Sequence, residues 1–137
     1  MAGKFKVELV TPKGIMLDKE VDEVIAPGGV GEFGVLVGHT PMLTFIKPGI
    51  FSYLENDKFT KFVVGSGFCE VLKDMVTVLV DEAYSQEEID PTEAAEELAG
   101  IEKQLAEVDA SAHPEESLSL STKLQVARYK VALAGKG

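Results

Sequence analysis

Three sets of side chains in this sequence could do chemistry, and their spacing decides which kind. The string Gly29-Val30-Gly31-Glu32-Phe33-Gly34 carries the G-x-G-x-x-G spacing of a dinucleotide loop. That chemistry needs the glycines to end a strand and open a helix whose first amides hold a pyrophosphate. Here Phe33-Gly34-Val35-Leu36-Val37 continues as a strand pattern and Pro41 soon follows, so a glycine-shaped turn between strands is expected. Cys69 and His39 are the candidates for nucleophile chemistry besides serines and threonines. Cys69 lies in the strand pattern Gly67-Phe68-Cys69-Glu70-Val71, where a buried, inert thiol is the commoner state. His39 and His113 fall in different segments without clustered partners, so no metal site is expected. Glu32 and His39 as an acid/base pair would have neither a nucleophile nor a metal to work with. No catalytic constellation results.

The elements that would position these residues are bounded by length and composition. A chain of 137 residues, 45% of them apolar, fits one domain or a domain with an appendage. A net charge of −10 argues against nucleic acid, because phosphate neutralisation needs clustered cations. It also argues against a basic patch on an anionic membrane. No apolar run approaches the roughly 20 residues that cross a bilayer, so no direct membrane insertion is expected. Met1-Ala2-Gly3-Lys4-Phe5 passes straight into a strand pattern, and no targeting peptide is expected. A single cysteine excludes an internal disulfide and fits a reducing compartment.

The composition breaks sharply near Val80. Residues 1–80 hold all 7 Phe and 10 of the 13 Gly, whereas residues 81–137 hold no Phe and 10 Ala. Glycine, aromatic and β-branched residues suit a turn-rich sheet; Ala, Leu, Glu and Lys suit helices. The fold class is therefore β then α: an N-terminal antiparallel β-sandwich over 1–84 and a two-helix antiparallel hairpin over 85–137. Without βαβ alternation, a parallel sheet is not expected. Phe5, Val7 and Leu9 alternate with charges, and turn signals from Pro12-Lys13-Gly14 to Lys73-Asp74 punctuate the rest. Between them lie strand candidates at 21–26, 33–37, 42–46, 50–54, 59–64, 67–72 and 75–80.

After that the period changes. Asp90-Pro91-Thr92-Glu93 supplies an N-cap, a first-turn proline and a capping-box glutamate. Ala94, Leu98, Ile101, Leu105 and Val108 form one apolar seam; Leu120, Leu124, Ala127, Val131 and Ala134 form a second. Ser111-Ala112-His113-Pro114 breaks the run between them. Alanines dilute both seams, so the hairpin should be marginal by itself. Charge divides the same way. Residues 1–80 carry −2, residues 81–116 carry −12, and residues 117–137 carry +4 from Lys123, Arg128, Lys130 and Lys136. The basic helix either complements the acidic one within the hairpin or leaves it for another acidic surface.

These residues resemble a known family. Pro27-Gly28-Gly29-Val30-Gly31-Glu32-Phe33-Gly34-Val35-Leu36-Val37-Gly38-His39-Thr40-Pro41-Met42-Leu43-Thr44, followed by Ile46-Lys47-Pro48-Gly49, closely resembles the epsilon subunit of F-type ATP synthases. Val64-Gly65-Ser66-Gly67-Phe68-Cys69-Glu70-Val71 resembles that family's glycine hairpin. The likeness runs through the helical tail.

The resemblance implies a ten-stranded sandwich and a non-catalytic place in the central rotor stalk, peripheral to a membrane; with no targeting peptide, the cytoplasmic face of a bacterial inner membrane is expected ahead of a plastid-encoded stromal equivalent. There the sandwich grips the gamma subunit and rests on the polar loops of the c-ring. Gly31, Glu32, Phe33, Gly34 and His39 match the positions at that interface. It also implies a helical tail that extends toward the catalytic alpha/beta head and restrains ATP hydrolysis, with Lys123, Arg128 and Lys130 meeting the beta subunits. Some members bind ATP on the compact hairpin through an I/L-D-x-x-R-A motif. Ile89, Asp90 and Ala94 match it, and Arg128 retains one basic residue of the second helix, but Glu93 stands at the motif arginine and Ala132 at the next family arginine. No cofactor and no micromolar ATP binding are therefore expected. The alternative to a rotor subunit is a free-standing sandwich adaptor whose hairpin binds another acidic partner.

Overall fold

A computed structural model describes residues 3–135; Met1, Ala2 and the cation Lys136 lie outside them. The chain divides into two compact units, Met1–Tyr84 and Ser85–Gly137. Ten strands come first: β1 (Phe5–Thr11), β2 (Gly14–Val21), β3 (Glu23–Gly28), β4 (Gly31–Leu36), β5 (Met42–Ile46), β6 (Gly49–Glu55), β7 (Lys58–Val64), β8 (Gly67–Val71), β9 (Met75–Val80) and β10 (Ala83–Ser85). Two helices follow, α1 (Pro91–Glu107) and α2 (Pro114–Ala134), after a short 3₁₀ helix at Gln86–Glu88.

The strands run in the order β10-β7-β6-β3-β5-β8-β9-β1-β2, with β4 on β3. The sheet bends between β3 and β5, whose ladder is one pair, Gly28 with Ile46. Its two leaves enclose Phe5, Val7, Leu9, Val24, Phe51, Val71, Val76 and Val78. Alternation makes that core: Phe5, Val7 and Leu9 point inward while Lys6 faces solvent. Asn56 and Asp57, both at positive φ, turn β6 into β7, which is the geometry a two-residue hairpin requires.

Two strands escaped the periodicity. β2 buries only Leu17 and Val21, because a register shift between Leu9 and Val10 leaves an extra residue opposite β1. The strand expected at 21–26 accordingly begins at Glu23, Val21 being the last residue of β2. β10 has three residues, too few for any period to register. The sheet also contains a parallel ladder, β1 with β9 from Lys6–Met75 to Val10–Leu79. Absence of βαβ units did not prevent it, since seven intervening strands return the chain to the same edge.

In the helical unit, Asp90 caps α1 by accepting from the amides of Thr92 at 2.8 Å and Glu93 at 3.1 Å. Between the helices the Asp109 carboxylate accepts from Ser111 N at 2.9 Å, and the Asp109 carbonyl from His113 N at 2.8 Å. Pro114 then opens α2. The expected seams face each other unevenly: Leu120, Leu124 and Ala127 are buried, while Leu98, Ile101, Leu105 and Val108 are half-buried. α2 also buries Val126 and Leu133, seven residues apart on a second face that a single-seam reading missed.

Candidate functional site

The β3–β4 hairpin holds the glycine-rich string. Gly31, at φ +139°, completes its turn, and the chain then runs on as strand, so the dinucleotide geometry is absent. Gly28 has a specific reason: a Cβ there would stand 2.8 Å from the Gly31 carbonyl oxygen and from the Phe33 ring. Phe33 in turn packs partly against the core. Glu32 is exposed opposite Pro27, and Gly34 leaves open surface beside the Glu23 carboxylate.

His39 lies beyond the other end of β4. Its backbone amide donates to the Leu36 carbonyl at 3.1 Å, and its ring Nδ1 is 2.7 Å from the Thr40 carbonyl. From Glu32 to Leu36 alone the strand covers about 13 Å. The fold therefore holds Glu32 and His39 at opposite ends of one strand, and they form no acid/base pair. Among the described residues no group of three or more His, Cys, Asp or Glu could hold a metal.

The outer face of the second leaf carries a feature that the sequence reading did not isolate. Phe45, Phe68, Leu79, Val10 and Ile15 are successive cross-strand partners on β5, β8, β9, β1 and β2. They form one row across five strands, about 19 Å wide. Phe45 is 66% exposed, Phe68 47%, Leu79 50% and Ile15 61%. Leu43, also exposed, adjoins the row, and Gly29 N donates to the Phe45 carbonyl, bringing the tip of the β3–β4 hairpin to one end of it. The next row runs Leu43, Glu70, Thr77, Glu8 and Asp18 and is polar beyond Leu43. Exposed apolar stripes of this kind are the surfaces that protein partners typically cover. Its signal was present as Phe45 and Phe68 off the inward period, but only register joins five strands distant in sequence.

Three groups have displaced titrations. The Cys69 thiol is pushed up to about 12 by burial in the core, so it is inert. Lys19 on β2 donates to Glu55 on β6 at 2.9 Å and lies 5.6 Å from the Tyr53 ring centre. The hydrogen bond to Lys19 holds Glu55 below its ordinary carboxylate value, and the bond to Glu55 raises Lys19. The pair ties edge strand β2 to the opposite leaf.

On the helices the expected cations do not make one patch. Lys123 and Lys130, seven residues apart, share a face; Arg128 lies nearly opposite Lys130 around α2. Lys130 reaches Glu97 of α1 at 3.1 Å, while Lys123 and Arg128 are exposed. Of the nucleotide-motif positions, Ile89 and Ala94 are buried, and the Asp90 carboxylate is engaged in its cap. Glu93 and Ala132 are exposed.

The architecture is a ten-stranded β-sandwich followed by a two-helix hairpin, with an exposed apolar row on one sheet face. Residues 4–86 match the family described as the ATP synthase delta/epsilon chain β-sandwich domain. The chain is 41% identical to "ATP synthase epsilon chain 2" of Syntrophotalea carbinolica over 100% of its own length and 98% of that protein. It is also 41% identical to the "ATP synthase epsilon chain" of Geotalea daltonii, covering 99% of this chain and 97% of that one. A chain of the Euglena gracilis mitochondrial ATP synthase OSCP/F1/c-ring structure shares its fold at a TM-score of 0.80 and 22% identity, over 96% of this chain and 82% of that one. The chain belongs to the ATP synthase epsilon chain family, a non-catalytic component of that complex. No helix among the described residues is long and apolar enough to cross a membrane.

Proposed function

We propose that this chain is a central-stalk rotor subunit that couples c-ring rotation to ATP synthesis through the gamma subunit. In this reading Met1–Tyr84 is the stalk domain and Ser85–Gly137 the regulatory one, peripheral to the cytoplasmic face of a bacterial inner membrane. The observation that carries it is the apolar row Phe45–Phe68–Leu79–Val10–Ile15, which a monomer would gain nothing by exposing. Gamma is the occupant, and Glu32 at the end of the β3–β4 hairpin, with Gly31, Phe33, Gly34 and His39 along β4 and its loop, faces the polar loops of the c-ring. The helical unit restrains hydrolysis by extending α2 toward the catalytic beta subunits, where Lys123, Arg128 and Lys130 meet an acidic loop. Such contacts weaken with salt.

The test is association with gamma. The wild-type chain should co-purify with gamma, and replacing Phe45 and Phe68 together by Ser should weaken that complex at least tenfold while the sandwich stays folded. Undiminished binding would sink the assignment of this face. Deleting residues 117–137 should raise ATP hydrolysis by the assembled complex; unchanged hydrolysis would reject restraint and leave coupling intact.

A further inference from the structure

The fastenings of the helical hairpin are concentrated at one end. Where α1 begins and α2 ends, Ala94 of the α1 seam is 2% exposed. Lys130, whose side chain is only 14% exposed, reaches the Glu97 carboxylate there. The 3₁₀ helix Gln86–Glu88 adds a third fastening. Ser85 N donates to Glu88 Oε1 at 2.7 Å, which orders that turn, and Gln86 Nε2 donates to the Leu133 carbonyl at 3.1 Å. Leu133 O lies in the last turn of α2, where the Gly135 amide also points toward it.

The opposite end is fastened differently. Leu120 is buried there and Leu105 and Val108 are half-buried, while a cleft of about 280 Å³ opens between the helices, lined by Gln104, Glu107, Val108, Glu116 and Leu120. Glu107 and Glu116 bring like charge to its two sides, one from each helix. The polar fastenings described above sit at the end where α1 begins and α2 ends.

We propose that Gln86 is the catch of this hairpin: its side-chain amide on the Leu133 carbonyl, seconded by Lys130–Glu97, sets how often α2 separates from α1. This rests on the reading that α2 moves, and it adds what controls the movement. Gln86 lies in neither helix, so a change in the segment that carries it reaches α2 without passing along α1. The two fastenings also differ in kind. Gln86 is neutral and its effect is insensitive to salt, whereas Lys130–Glu97 weakens as salt screens it.

Amide hydrogen exchange on the full-length chain tests the catch. Gln86→Ala should speed exchange of the α2 amides near Leu133 by roughly three- to tenfold, the worth of one net hydrogen bond. Glu97→Gln should do the same at low salt and less at high salt. Glu87→Ala, an exposed change in the same turn, should have no effect. Exchange in Gln86→Ala equal to wild type, with helix content unchanged by circular dichroism, would overturn the proposal. Faster exchange in Gln86→Ala with no change in hydrolysis by the assembled complex would uphold the catch and remove only the inhibitory reading.

Discussion

Gly67 on β8 stands against the carbonyl of Leu79 on β9 with no room for a side chain between them. A Cβ at Gly67 would overlap that carbonyl oxygen and come within 2.8 Å of Val80 Cα. Both obstacles are backbone in a paired ladder, so neither can rotate aside. Gly67→Ala should therefore destabilise the sandwich by about 2–4 kcal/mol, as overpacking against main chain does. Urea denaturation measures it; an unchanged midpoint would mean the β8–β9 ladder yields.

Cys69 should not react in the native protein. With its pKa pushed to about 12 by burial, little thiolate exists at pH 8, and the sulfur is closed off from reagent. A thiol-specific chromogenic disulfide should read one equivalent only after unfolding. Prompt reaction without denaturant would contradict the closed sandwich.

The Lys19–Glu55 pair gives stability a definite pH window. Glu55 is held below its ordinary value of 4.5, so its contribution is complete above that value and disappears as pH falls through the lowered one. Lys19 is raised above 10.5, so its contribution is complete below that value and is lost as pH rises through the raised one. Lys19 is exposed and Glu55 half-buried, and the effect is small. Glu55→Gln should lower thermal stability slightly at neutral pH and converge with wild type in strong acid. A constant difference down to strong acid would contradict the pairing.

The Asp90 cap leads to two linked expectations. Asp90→Ala should cost about 1 kcal/mol and fray the first turn of α1 by circular dichroism. Calorimetry should detect no micromolar ATP binding to the wild-type chain. The Asp90 carboxylate already occupies the amides of Thr92 and Glu93, and Glu93 puts a negative charge at the motif's arginine position. A clear micromolar isotherm would refute this.

Much of the architecture was legible because it follows from local periods. The inward run Phe5, Val7, Leu9 and the N-cap at Asp90 are decided by neighbours a few residues away. β2 was not legible, since its bulge breaks the alternation that reveals a strand. Val126 and Leu133 were missed because they fall off the single stripe that a hairpin partner alone requires.

Charge segregation belongs to the sequence by itself: a near-neutral sandwich, an acidic −12 stretch and a basic end follow from composition. So does the break from β to α, because residue propensities change within a few positions of Val80. Only tertiary structure could decide that Phe45, Phe68, Leu79, Val10 and Ile15 form one row. Pairing register between distant strands sets that outcome. Register is a property of hydrogen-bonded partners, which no stretch of chain contains on its own.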